Sequence, residues 1–222
     1  MAAVRAVGGG VACAHLRHLD TREDLADELN LTEDEREEIL AAGSLTRLGG
    51  LTNGMCIITG VDLAVQNHSS ADDTVLFTIL VDPSDGFSRR VLNIRRGKWT
   101  GPEIIREIKQ CYADFGGMFI VENNAAQAYI HQFIATDTAI PVVPFTTGRN
   151  KADPSFGIES LATELANAKW IIPKRTTRGE GLHKEVGEWI RELLFYDPRE
   201  HTGDAVMSSW FAREGARRFV DN

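Results

Sequence analysis

One succession of segments constrains this chain more than any other feature. Cys56–Ala64 (CIITGVDLA) and Thr74–Val81 (TVLFTILV) are nearly continuous apolar runs of strand length, and Arg90–Arg95 is a third strand pattern beyond the turn sequence Asp82-Pro83-Ser84-Asp85-Gly86. Three strands with short connections predict an antiparallel meander. Thr100-Gly101-Pro102-Glu103 then opens a helix, with a capping Thr, a Pro in the first turn and Glu at the third helical position. Ile104, Ile105, Ile108, Cys111, Tyr112 and Phe115 share one face of it, and Gly116-Gly117 ends it. Met118–Val121 is a short apolar strand leading directly into a helix pattern at Ala125–Ala135, which makes it parallel and central, and Pro141–Phe145 is a further strand. The chain must therefore fold as an α/β protein, its mixed sheet built from a three-strand antiparallel meander plus parallel strands and flanked by helices.

The last third is mainly helical. Ile158, Leu161, Ala162 and Leu165 form one stripe ahead of the apolar run Trp170–Pro173; Leu182, Val186, Trp189, Ile190, Leu193 and Leu194 form a second. Thr202 is placed to cap a third helix carrying Asp204, Met207, Ser208, Phe211 and Ala212 on one face. The first fifty residues read differently. Asp20–Asn30 and Thr32–Ala42 are two short helical patterns with too few apolar residues for a core of their own, and a glycine-rich connector follows. The expected organisation is an acidic helical arm at 1–52 and one domain at 53–222.

Charge and cysteine usage exclude several classes. The net charge of −8 rules out a histone-like basic coat, although a local basic groove stays open. Residues 1–50 hold five basic and ten acidic side chains, so most of the acidity belongs to the arm. Three isolated cysteines without C-x-x-C spacing argue against a disulfide scaffold and a zinc ribbon. No apolar run approaches the ~18 residues needed to span a bilayer, and Met1–Gly10 shows no secretory pattern. A reducing, cytoplasmic setting is expected.

Three carboxylates stand where simple packing would not put them. Asp62 interrupts an apolar strand, Glu122 follows the apolar run of a central parallel strand, and Asp204 shares the apolar stripe of its helix. An ionised group inside a core is costly, and the C-terminal edge of parallel strands is where open α/β sheets build sites. Each has a plainer reading too: a bulge acid at Asp62, a strand-end ion pair at Glu122, a first-turn acid favoured by the helix dipole at Asp204. Converging, the three would repel unless cations sat among them. Carboxylate-only ligation favours Mg²⁺ or Mn²⁺, and two such ions about 3.5–4 Å apart are the usual machinery for in-line displacement at a phosphodiester.

The strand-strand-strand-helix-strand-helix-strand order is the ribonuclease H-like layout. Within it, Gly60–Ala64 followed by Asp72–Val75, then Phe119–Gln127, His201–Ser208 and Asn150–Leu161 resemble the nuclease domain of the terminase large subunit of tailed bacteriophages. The resemblance runs from residue 53 to the end. It implies a metal-dependent endonuclease that cuts double-stranded DNA during viral genome packaging in a bacterial host cell. Asp62, Glu122 and Asp204 match the family's metal-binding acids, and Asp73 is a candidate further ligand. The family often shows two adjacent acids after a His, whereas Gly203 precedes Asp204 here. No G-x-x-x-x-G-K-[ST] phosphate loop is present, so these residues carry no ATPase motor. The implied partners are DNA, a packaging ATPase, a portal or a small terminase subunit, with no membrane.

DNA contact would come from local charge. Arg89, Arg90, Arg95, Arg96 and Lys98 form one basic cluster on the third strand. Lys174, Arg175, Arg178 and Lys184, with Lys169 and His183 beside them, form another, and Lys151 is a candidate near the scissile phosphate. Either cluster also reads as ordinary solvated surface. His201 is a candidate for a place near the metals. Two other functions fit the same residues: a Holliday-junction resolvase or other ribonuclease H-like nuclease, and a non-catalytic DNA-packaging or DNA-binding subunit.

Overall fold

The computed structural model describes residues 55–64, 73–122, 134, 138–148, 151, 157–172 and 184–220; the arm at 1–52 and most of the helix expected at Ala125–Ala135 lie outside them. The elements are β1 (Cys56–Asp62), β2 (Thr74–Asp82), β3 (Ser88–Gly97), α1 (Gly101–Phe115), β4 (Met118–Glu122), β5 (Val142–Phe145), α2 (Glu159–Ala166), β6 (Trp170–Ile171), α3 (Lys184–Leu194) and α4 (Asp204–Phe219). They form one six-stranded mixed sheet in the order β5-β4-β1-β2-β3-β6. The meander β1-β2-β3 is antiparallel as expected, and β4 and β5 continue from β1 as parallel strands. The run at Trp170 adds a short edge strand parallel to β3, a pairing that nothing local specifies.

Alternation along the strands divides the core into two layers. Ile57, Val61, Leu76, Leu80, Phe119 and Val121 face α1, which buries Ile104, Ile108, Cys111 and Phe115 against them. Ile58, Val75, Phe77, Ile79, Val91 and Ile120 face α4 and α3. On this second side Trp189 packs against Phe77 at 4.8 Å between ring centroids, and Trp210 packs edge-on to Phe145 at 5.3 Å. A bulge at Leu92 shifts the register of β3 and sends Arg95 to the α1 side and Arg96 to the α4 side.

Two expectations for the last helices change. In α3 the stripe ends one residue early, because Leu194 is 69% exposed. In α4 there is no single apolar face: every residue from Ala205 to Ala216 that bears a side chain is buried, including Ser208, Ser209, Arg213 and Glu214. The helix is enclosed, so its polar groups need internal partners. Trp189 Nε1 donates to Ser209 Oγ at 3.0 Å, and Glu214 accepts from Arg213 and Arg217.

α4 approaches β1 so closely that one strand position must lack a side chain. A Cβ on Gly60 would lie 2.0 Å from the Ser208 carbonyl oxygen and 2.5 Å from the Ala212 amide nitrogen. Backbone atoms of an enclosed helix cannot step aside. Gly60→Ala should therefore cost about 3 kcal/mol, the upper end for overpacking, in a urea unfolding curve; a loss below about 0.5 kcal/mol would show that the helix can shift.

α1 starts as its sequence requires. The Glu103 carboxylate accepts from the Thr100 amide and hydroxyl, both at 2.8 Å, and these bonds, the amide's first, hold its pKa below the usual value. A carboxyl group depressed in the folded state stabilises at neutral pH and loses that contribution as pH falls through the folded pKa. The gap in melting temperature between wild type and Glu103→Gln should accordingly close on acidification below pH about 4.

Candidate active site

β1 and β4 are parallel neighbours, with Val61 opposite Val121. Asp62 and Glu122, one residue further on, therefore leave the same edge of the sheet side by side. Alternation places both on the side covered by α4, which begins at Asp204. The three carboxylates line one cleft of about 260 Å³, together with Asp73, Lys151, His201, Thr202, Met207 and the chain at Leu63–Ala64.

Several of these groups are held by partners from distant elements. The Asp73 amide donates to Asp204 Oδ2 at 2.9 Å. Thr147, beyond β5, donates its hydroxyl to Glu122 Oε1. The Ala64 amide donates to Thr74 Oγ1 at 3.0 Å, tying the exit of β1 to the entry of β2. Arg96 reaches in from β3: its guanidinium binds Glu192 of α3, and its Nε lies 3.7 Å from Asp73 Oδ2. Burial opposes the charge on Arg96, but Glu192, with Asp73 and Asp204 behind it, outweighs that and holds its pKa above the usual value.

The donor chemistry suits a hard cation: among the described residues, four carboxylates and no thiol line the cleft. Among the described residues no three His, Cys, Asp or Glu side chains are arranged to hold a metal ion as they stand. Carboxylates repel at short range, and here Glu122 and Asp204 each have a donor of their own.

The structure brings Asp62, Asp73, Glu122, Asp204, Lys151 and His201 to one place. It does not do so for the other expected cations. Lys184 opens α3 with 81% of its side chain exposed and is not among the cleft-lining residues; Lys174, Arg175 and Arg178 lie outside the described residues. The basic cluster on β3 is largely internal. Arg89 is 3% exposed and pairs with Glu164, Arg95 pairs with Glu107 and Asp114 of α1, and Arg96 pairs with Glu192. These arginines bind acids of the helices on either side of the sheet, which removes them from the surface offered to a polyanion. Lys169, expected in the second cluster, donates to the Gly86 carbonyl.

Sequence reasoning missed Thr147, Arg96 and Glu192 as members of the site. No spacing signal marks them, because each reaches its partner across the sheet or between helices.

The sheet order, with helices on both faces, is the ribonuclease H-like fold. No protein-family profile matches the chain, and no curated protein matches it. Among solved structures it is similar to the large terminase nuclease of thermophilic phage G20c, at a TM-score of 0.50 and 14% identity over 72% of this chain and 82% of that one. It also aligns with the human cytomegalovirus terminase nuclease domain (TM-score 0.46, 13% identity, 84% and 95% of the two chains). A third alignment is with Thermus thermophilus RuvC in complex with a Holliday junction substrate (0.39, 12%, 73% and 96%). The likeness to the phage G20c nuclease, at 14% identity, bears on the fold alone.

Proposed function

We propose that this chain is a metal-dependent endonuclease that cleaves double-stranded DNA during viral genome packaging, the nuclease part of a terminase large subunit. The observation that carries the reading is the meeting of Asp62, Glu122 and Asp204, from two adjacent strand ends and a helix start, in one cleft. Each position has a plainer reading alone, and it is their convergence that supports a cation-binding role.

In this reading Asp62, Glu122 and Asp204 are the ligands of two Mg²⁺ or Mn²⁺ ions, with Asp73 as a further contributor. When bound, such ions supply charge neutralisation at the phosphodiester and activation of water for in-line attack. The chain's own part is placement. Strands β1 and β4 fix the spacing of Asp62 and Glu122, Thr147 orients Glu122, and the Asp73 amide orients Asp204. Lys151, on the cleft wall, would take a non-bridging phosphate oxygen; Lys174, Arg175, Arg178 and Lys184 would track the backbone. Contacts of this kind position DNA without reading its sequence. The packaging ATPase, portal or small terminase subunit would be partners, and residues 1–52 would be a segment separate from the catalytic domain. Among the described residues no helix is long and apolar enough to cross a membrane.

Purified protein incubated with supercoiled plasmid and Mn²⁺ should nick and linearise it, and EDTA should stop this. Asp62→Asn, Glu122→Gln and Asp204→Asn should each lower the rate about a thousandfold, since a bound metal supplies several kcal/mol to such a transition state. Cleavage that survives in Asp62→Asn would sink the site assignment. Competition among linear duplex, four-way junction and RNA–DNA hybrid tests the substrate, and a preference for the junction would favour a resolvase.

Lys151 has a separate readout. Lys151→Ala should weaken DNA binding evenly across sequences and reduce the slope of log Kd against log salt by about 1, as the loss of one phosphate contact requires. An unchanged slope would place Lys151 away from the DNA.

A further inference from the structure

α4 has no cap of its own, and a carboxylate from another helix supplies one. Gly203 holds the N-cap position, and Thr202, the expected cap, is 2% exposed and does not fill it. Instead Glu192 Oε2 accepts from the Ala205 amide at 3.0 Å and the Val206 amide at 3.2 Å. Its other oxygen accepts from Arg96 Nη2, so both oxygens are engaged. Glu192 thus caps the helix, and Arg96 offsets the charge it brings to the helix start.

The same guanidinium faces Asp73, whose amide holds the Asp204 carboxylate. Asp204 is therefore fixed twice from one source. Its helix turn is held through Glu192, and its side chain is held through Asp73. Gly203 is part of the arrangement, because a Cβ there would lie 2.3 Å from Glu192 Oε2 and 2.5 Å from its Cδ. Any side chain at 203, an acid included, must push Glu192 off the helix end.

We propose that Arg96 and Glu192 are a positioning pair for Asp204, setting where its carboxylate stands relative to Asp62 and Glu122 and so how tightly the cleft holds a divalent cation. The inference rests on the metal-dependent reading above. Partners that orient metal ligands typically change metal affinity about 10–100-fold when removed.

Three variants test it. Glu192→Ala removes the cap and the charge, Glu192→Gln keeps an acceptor oxygen, and Gly203→Ala crowds Glu192 without altering it. Amide hydrogen exchange at Asp73, Ala205 and Val206 is measured beside Mn²⁺ binding by calorimetry and unfolding by urea. In Glu192→Ala and Gly203→Ala all three amides should exchange at least about tenfold faster and Mn²⁺ affinity should fall about 10–100-fold, with partial recovery in Glu192→Gln. A cap that is merely structural would speed Ala205 and Val206 only and lower the unfolding midpoint. The Asp73 amide and the Mn²⁺ affinity of the folded protein would then be unchanged, and that result overturns the proposal. If Glu192→Ala does not fold, the other two variants decide the same question. Wild-type protein that takes up no Mn²⁺ would count against the nuclease reading, while exchange at Asp73 would still decide the positioning.

Discussion

The seating of α4 on the middle of the sheet is the contact from which the rest of the architecture follows. Gly60 and Gly215 let the helix lie close over β1 and β4, where a Cβ at either position would run into the opposing layer at 2.0 Å and 2.6 Å respectively. That closeness brings the first residue of α4 over the ends of the two strands and places Asp204 across from Asp62 and Glu122. A helix seated an ångström or two higher would bury less of Ile58 and Ile120 and would open the cleft. Stability and the candidate site thus depend on the same few contacts.

Enclosing a helix this completely forces its polar residues into internal networks. Arg213 bonds Glu164 at 2.8 Å and Glu214 at 2.6 Å, Glu164 also pairs with Arg89 at 3.3 Å, and Trp170 Nε1 donates to it at 3.0 Å. Buried pairs of this kind need not add net stability, because desolvation offsets the attraction, but breaking one leaves a charge without compensation. Such a network ties α2, α4, β3 and the edge strand into one arrangement. At the other end of α4 the Arg96–Glu192 pair does the same for α3, β3 and the cleft. Arg89, Arg95 and Arg96 of β3 are thereby committed to ion pairs with the helices on either side of the sheet.

Much of this was legible in the residues. The meander, α1 with its Thr100–Glu103 start and Gly116-Gly117 stop, and the parallel strand ending at Glu122 all follow from local periodicity and turn chemistry, which act over a few residues. The acids at Asp62 and Glu122 were visible for the same reason, since an ionised group set against an apolar run demands an explanation; the structure makes Asp62 the half-buried last residue of β1, where the sequence pattern had it interrupting the strand. The missing acid at position 203 was legible as a departure from the resemblance, but its structural meaning was not.

What the sequence by itself determined is most of the elements among the described residues and which carboxylates stand beside apolar runs, because both are written in spacings shorter than one helix or strand. The tertiary structure alone decided which long-range partners those groups have. Thr202 reads as a cap, yet Glu192 from α3 fills that role; Arg89, Arg95 and Arg96 read as a basic surface, yet each finds an acid on a helix packed against the sheet. A charged side chain carries no mark of its partner, since the pairing depends on a bulge at Leu92, on the depth at which α4 sits and on room left at Gly203. These are properties of packed layers, and they exist only once the chain has folded.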